Sequence, residues 1–242
     1  MGYNVDAAFA MIEPRWWKPE GRGAARCGVC VHGCLISDGK GGMCGARFFS
    51  SADGFSSPYL GRFISTAIDP VEKKPLYHWR PGTRIMSLGS VGCNMICAFC
   101  QNHSISHPAR RPPPGELNGM SPEALAVLTK KNGLSSVAYT YNEPALQGEY
   151  IVIAAHVLND SGIASAIVTN GIFSPAFSGE ISRVISAANV DVKTFAKARE
   201  QRIAQERAIR AEKVAKMQQA TRGDASSAPT GVAPLRTDEE TE

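Results

Sequence analysis

Long hydrophobic runs are absent from this sequence of 242 residues. The longest apolar run, residues 151–158, is too short to cross a bilayer and contains His156. The first residues lack the basic and then apolar regions of a secretory signal. We therefore expect a cytoplasmic protein with no membrane partner.

An excess of one charge is also missing from most of the chain. The formal net charge is +4, but residues 196–222 alone hold eight Lys or Arg against three Glu. The rest of the chain is therefore close to neutral. A solvated helical face explains such a basic segment, and we expect no nucleic-acid partner.

Cysteines are confined to two tight groups, and none lies elsewhere. The first group contains Cys27, Cys30, Cys34 and Cys44, and the second contains Cys93, Cys97 and Cys100. An odd total with close spacing favours thiolate ligands to metal over a disulfide framework in a cytoplasmic chain. Disulfides within the first group are the less favoured alternative.

Strand and helix patterns alternate between residues 83 and 195. Strands are predicted at 85–89, 137–140, 164–169 and 190–193, and helices at 121–128, 149–159 and 178–188. This alternation indicates an α/β fold with βα units around a parallel sheet. We predict three regions: a loop-dominated cysteine-rich unit (1–60), this βα core (61–195), and an exposed helix followed by a disordered acidic tail (196–242).

The second cysteine group has the spacing C-x3-C-x2-C on the loop after the first predicted strand. Three thiolates on a [4Fe–4S] cluster leave one iron with an open coordination position. With Phe99 before the third cysteine, the motif resembles that of the radical S-adenosylmethionine (SAM) superfamily. A three-cysteine zinc site is the alternative.

The resemblance implies a specific chemistry. Cys93, Cys97 and Cys100 would ligate the [4Fe–4S] cluster, and SAM would chelate its open iron. Reductive cleavage of SAM would then give methionine and a 5′-deoxyadenosyl radical that abstracts hydrogen from a substrate.

A closer resemblance involves residues 69–78, residues 138–144 and the first cysteine group with Arg47. These motifs are similar to those of the AmmeMemoRadiSam radical SAM proteins, which resemble pyruvate formate-lyase activating enzymes. The resemblance implies a flavodoxin- or ferredoxin-like reductant and a protein substrate. It also implies SAM contacts at the backbone of Phe99 and at Asn142, Glu143, Asn170, Asp191 and Lys193.

Two features leave alternatives open. The four cysteines of the first group are expected to bind a second metal, and zinc and an iron–sulfur cluster suit them equally. The core has four predicted strands where the superfamily has six, so we expect an incomplete, truncated βα barrel. The alternative to an active enzyme is therefore a catalytically impaired metal-binding relative with a structural or interaction role.

Overall fold

The computed structural model describes residues 14–21 and 23–193. The chain divides into two compact units, residues 1–192 and residues 193–242. Apart from Lys193, the second unit lies outside the described residues, as do the predicted helix from Ala196 and the predicted tail. The boundary placed near residue 60 stays a prediction.

Short strands, and not loops alone, build the cysteine-rich region. They are β1 (Trp17–Glu20), β2 (Ala24–Cys27), β3 (Leu35–Ser37), β4 (Lys40–Gly41), β5 (Phe48–Ser50) and β6 (Gly54–Ser56). They form two antiparallel three-stranded sheets, β1-β2-β3 and β4-β5-β6. The sequence did not predict these strands, because strands this short show no readable alternation of apolar and polar residues.

The remaining elements form the core. They are β7 (Arg62–Phe63), β8 (Ser65–Pro70), β9 (Arg84–Gly89), α1 (His103–Ser106), β10 (Asn118–Gly119), α2 (Pro122–Lys131), β11 (Ser136–Tyr139), α3 (Gly148–Asp160), β12 (Ala164–Thr169), α4 (Pro175–Val184) and β13 (Ala187–Val190). Single 3-10 turns occupy Val71–Lys73, Pro114–Glu116 and Pro144–Gln147.

The central sheet has the strand order β13-β12-β11-β9-β8. The strands β9, β11, β12 and β13 run parallel, and β8 pairs antiparallel with β9. Parallel strands connected by helices confirm the α/β class. No barrel closure is seen among the described residues, so the partial barrel remains a prediction.

Two boundaries differ from those expected. The fourth parallel strand is Ala187–Val190, three residues before the predicted one. Ala and Asn are weak strand formers, so its sequence gave little signal. Helix α4 also begins earlier, because the Ser174 hydroxyl accepts a hydrogen bond from the Phe177 backbone N–H at 3.2 Å.

Helix α2 begins as the sequence predicts. The Ser121 hydroxyl accepts from the Ala124 backbone N–H at 3.1 Å, and Pro122 occupies the first turn. Across the described part of the chain, no helix combines the length and the apolar character that a membrane span requires.

Candidate functional site

The candidate site lies where the parallel strands end. Residues 90–102, which we call the three-cysteine loop, follow β9 directly. Asn142 and Glu143 follow β11, Asn170 follows β12, and Asp191 follows β13. Parallel α/β folds place their chemistry at the carboxyl ends of strands, so this edge is the expected position for a cofactor.

Cys93, Cys97 and Cys100 are free, partly buried thiols on this loop. Burial is the main cause that raises the pKa of the Cys93 thiol to about 12, and electrostatic interactions with Glu143, Cys97 and Cys100 act in the same direction. The three sulfurs and the Glu143 carboxylate therefore lie near enough to influence one another. A cation at this position would neutralise that repulsion.

The thiols are not already arranged as a metal site. Within residues 14–21 and 23–193, no group of three or more His, Cys, Asp or Glu side chains could hold a metal ion in this geometry. The donor set itself fits, because free thiols near one another are the ligands that iron–sulfur clusters and zinc take.

Glu143 is the best fixed of the predicted SAM-binding residues. Its side chain is buried, with 2% of the residue exposed. Its carboxylate accepts hydrogen bonds from the Ala145 backbone N–H at 3.0 Å, the Thr169 hydroxyl at 2.8 Å and the Asn170 backbone N–H at 2.9 Å. These bonds join the ends of β11 and β12 and orient the carboxylate.

The two predicted asparagines have different neighbours. The amide of Asn142 bonds to Ser90 and to the Gly92 carbonyl, so it anchors the start of the three-cysteine loop. Asn170 donates from its side chain to the Asn94 oxygen at 2.7 Å. The structure thus brings both residues against the loop, Asn142 at its base and Asn170 next to the residue after Cys93.

The remaining predicted contacts are Phe99, Asp191 and Lys193. Phe99 is 61% exposed on the three-cysteine loop. The Asp191 backbone N–H donates to the Thr169 carbonyl at 2.7 Å, which places it beside the end of β12, immediately before Asn170. Lys193 is exposed and is the last described residue. The roles of these three residues in binding SAM stay predictions.

The first cysteine group, which we call the four-cysteine module, lines one pocket. Cys27, Cys30, Cys34 and Cys44 share its wall with the Arg47 side chain. All four are free thiols, so the less favoured disulfide alternative is wrong for this structure. Burial raises the pKa of Cys27 to about 11, while the Arg47 charge opposes that rise.

Arg47 is the principal residue of this region whose role the sequence did not reveal. It is 1% exposed and makes two bonds to the Glu149 carboxylate. Its remaining donor, Nε, is buried and has no hydrogen-bond partner in the described protein. Arg47 follows the fourth cysteine of the module in the sequence, but nothing there indicates its partner 102 residues away.

A second unanticipated network lies under the strand ends. The Asp69 carboxylate accepts from Lys73 and Lys74 at 2.8 and 2.7 Å and from the Tyr141 hydroxyl at 2.6 Å. Burial opposes ionisation, but these hydrogen bonds hold the pKa of Asp69 well below its usual range. Tyr141 has a φ of 72°, and its carbonyl accepts from Asn102 at the end of the three-cysteine loop.

The sequence matches the model of the radical SAM superfamily over residues 88–222, which is more than half of the chain. The chain belongs to the radical SAM superfamily. The match begins in β9 and includes the three-cysteine loop and the residues at the ends of β11, β12 and β13. Superfamily members generally use a [4Fe–4S] cluster and SAM, and this radical SAM chain has three free thiols on the loop after β9.

This radical SAM chain also has a curated relative. It is an uncharacterized protein of Methanocaldococcus jannaschii, 32% identical over 170 residues. The alignment includes 69% of this chain and 49% of the relative. The chain therefore spans about half the length of the curated relative that it matches.

Proposed function

We propose that this protein is a radical SAM enzyme that reductively cleaves SAM and uses the resulting radical to abstract hydrogen from a substrate. The observation that carries the proposal is the three-cysteine loop at the end of β9, within the matched superfamily region and beside the buried Glu143. When bound, a [4Fe–4S] cluster supplies the electron that cleaves the sulfonium of SAM into methionine and a 5′-deoxyadenosyl radical.

Cys93, Cys97 and Cys100 would hold the cluster, leaving one iron for SAM. Glu143 would pair with the ammonium group of SAM, because an oriented carboxylate in a partly dry site binds a cation strongly. Asn170 would fix the neighbouring loop through its bonds to Glu143 and Asn94. We assign Asn142 to positioning the loop, since its amide is engaged by Ser90 and Gly92.

The experiment is anaerobic incubation of the reconstituted protein with SAM and dithionite. We expect 5′-deoxyadenosine from the wild-type protein and none above background from Cys93→Ala, which loses a cluster ligand. Glu143→Gln should retain iron and sulfide but bind SAM more weakly. Product formation by Cys93→Ala at the wild-type rate would contradict the proposal, and a wild-type protein without turnover would support the catalytically impaired alternative.

We further propose that the substrate is a protein, as the resemblance to pyruvate formate-lyase activating enzymes implies. A flavodoxin- or ferredoxin-like protein is the proposed reductant, and the cytoplasm is the proposed compartment, because a cluster with an open iron needs reducing surroundings. Hydrogen loss from a candidate glycyl-radical protein, followed as deuterium transfer into 5′-deoxyadenosine, tests the substrate class.

The four-cysteine module is proposed to bind a second metal in a closed structural site. The buried Arg47 Nε–H, which lacks a partner, lines the same pocket as the four thiols. A tetrathiolate metal site is anionic, so one of its sulfurs offers this donor a charge-assisted acceptor. Zinc and an iron–sulfur cluster both remain candidates.

A variant without the three-cysteine ligands isolates the second site. With Cys93, Cys97 and Cys100 all changed to Ala, any remaining metal belongs to the four-cysteine module. Retained zinc would identify a structural zinc site, and retained iron with sulfide would identify an auxiliary cluster. A variant that carries neither metal after anaerobic purification would contradict a second site.

A further inference from the structure

Asn94 connects the two cysteine groups. It follows Cys93 directly and is 1% exposed. From the four-cysteine module, the His32 ring Nε2 donates to the Asn94 carbonyl at 2.8 Å, and Asn94 lines the same pocket as Cys30. One buried residue therefore lines the pocket of the predicted second metal and directly follows a predicted cluster ligand.

The same side chain also holds the loop that follows β12. Its oxygen accepts from the Asn170 amide at 2.7 Å, and its nitrogen donates to the Ile172 carbonyl at 3.2 Å. Asn170 in turn donates from its backbone to Glu143. A displacement of Asn94 would thus be transmitted through Asn170 to the Glu143 carboxylate, which we assign to binding the ammonium group of SAM.

The backbones of the two groups are also in direct contact. A Cβ added to Gly92 would lie 2.5 Å from the Cys44 carbonyl oxygen, closer than any side chain permits. The three-cysteine loop therefore begins against the fourth cysteine of the module. With this contact on one side and His32 on the other, the loop has little freedom to move independently of the module.

We propose that Asn94 is a positioning residue that couples occupancy of the four-cysteine module to SAM affinity, an inference that rests on the proposed function. Metal binding by the four cysteines would fix the pocket wall that Asn94 shares with them. The bound metal also fixes the turn that carries His32. Both effects hold Asn94, and through it Asn170 and Glu143, in the SAM-binding arrangement.

Thermodynamic linkage makes the coupling reciprocal. If the second metal strengthens SAM binding by a given factor, SAM strengthens retention of that metal by the same factor. Couplings of this kind are commonly about 5- to 150-fold. The proposal can therefore be tested from either site, without measuring turnover.

The test is a double-mutant cycle on SAM affinity. Cys34→Ala empties the module by removing a ligand whose backbone bonds to Cys27 and not to Asn94. Asn94→Ala keeps the carbonyl that His32 bonds but removes the side-chain bonds to Asn170 and Ile172. SAM affinity is measured by titrating the electron paramagnetic resonance signal of the reduced cluster, with iron and sulfide content matched at Cys93, Cys97 and Cys100. We expect each variant to bind SAM about tenfold more weakly, and the double variant no more weakly than either.

Additive losses, of about a hundredfold in the double variant, would overturn the coupling through Asn94. So would wild-type SAM affinity in Cys34→Ala. If SAM leaves the wild-type signal unperturbed, the proposed function itself fails, which is a separate result. A second, milder pair of variants guards against misfolding: His32→Ala should weaken SAM binding, while His32→Gln, which keeps a donor, should restore it.

Val31→Ala is the matched control, because Val31 lies between Cys30 and His32 in the sequence but is 66% exposed. It should leave SAM affinity unchanged. Adding SAM should also slow removal of the second metal by a chelator in the wild-type protein but not in Asn94→Ala. Equal chelation rates with and without SAM in the wild-type protein would overturn the coupling.

Discussion

Arg47 and Glu149 form a buried ion pair with two hydrogen bonds, of 2.7 and 2.6 Å, across 102 residues of sequence. The relative exposures of their side chains are 1% and 0%. The Arg15 backbone N–H donates to the same carboxylate at 3.1 Å. The pair fastens the segment after Cys44 to helix α3 and so fixes the four-cysteine module on the core.

Removing one partner of this pair should destabilise the protein strongly. Arg47→Met leaves the Glu149 carboxylate buried without its cation, and loss of one partner in such a pair costs about 3–5 kcal/mol. The free energy of unfolding, measured anaerobically by urea denaturation, tests this expectation.

Arg15→Gln is the matched control for that substitution. Arg15 and Glu180 form an ion pair at 2.6 Å, but their side chains are 51% and 34% exposed, so the loss should stay below about 1 kcal/mol. The Arg15 backbone bond to Glu149 is retained in this variant. Equal effects of the two substitutions would contradict a dominant role for burial.

Gly92→Ala should displace the three-cysteine loop from the four-cysteine module. Gly92 has a φ of 97°, and a Cβ there would meet the Cys44 carbonyl oxygen at 2.5 Å and Leu146 at 2.9 Å. Strain in this backbone region costs about 1–2 kcal/mol, and the backbone collision adds to it. We expect lower iron content after reconstitution and a lower urea midpoint.

Gly82→Ala is the control for Gly92→Ala, because it introduces the backbone strain of a positive φ without a steric clash. Gly82 has a φ of 74°, but no atom lies within 4 Å of an added Cβ. This variant should lose about 1–2 kcal/mol of stability from backbone strain alone and reconstitute with normal iron content. If Gly82→Ala lost as much iron as Gly92→Ala, the contact with Cys44 would not be the cause.

The sequence predicted the parts of this protein that depend on local patterns. Strand β12 and the Ser121 cap lie where the alternation and the capping residues placed them. The three-cysteine loop is recognisable because its spacing is a local chemical requirement of the cluster. These features needed no knowledge of the tertiary fold.

The long-range contacts were not predictable in the same way. Neither Arg47 nor Asn94 carries a periodic or spacing signal for its partners, since Glu149 and Asn170 are distant in sequence. Strand β8 was also not predicted. The sheet was inferred from alternating strands and helices, whereas β8 pairs antiparallel with β9 at the edge of the sheet. Pairing of this kind is decided by tertiary packing and not by local propensity.

Lys73 and Lys74 should differ sharply in their contributions to stability, although both bond to Asp69. The side chain of Lys74 is 2% exposed, and that of Lys73 is 64% exposed. Lys74→Met leaves a buried carboxylate with fewer donors and should cost about 3 kcal/mol, whereas Lys73→Met should cost less than about 1 kcal/mol. Urea denaturation of both variants at pH 7 makes the comparison, and a larger loss in Lys73→Met would contradict it.

Tyr141 should make the stability of the protein sensitive to alkaline pH. Burial, together with the hydrogen bond that its hydroxyl donates to Asp69, raises the pKa of Tyr141 to about 12. The pKa of an unfolded tyrosine is about 10. Between these values the folded protein keeps a proton that the unfolded chain releases, so the free energy of unfolding falls as pH rises.

Tyr141→Phe removes this titrating group, so the free energy of unfolding should depend less on pH in the variant than in the wild-type protein. The stability advantage of the wild-type protein over Tyr141→Phe should shrink by about 1 kcal/mol between pH 9 and pH 11. Tyr139 and Tyr150, whose pKa values are also raised by burial, are present in both proteins, so their contributions cancel. Tyr77→Phe is the control, because Tyr77 is 62% exposed and its loss should leave the wild-type slope intact. Parallel stability curves for the wild-type protein and Tyr141→Phe would mean that Asp69 does not hold the tyrosine proton in the folded state.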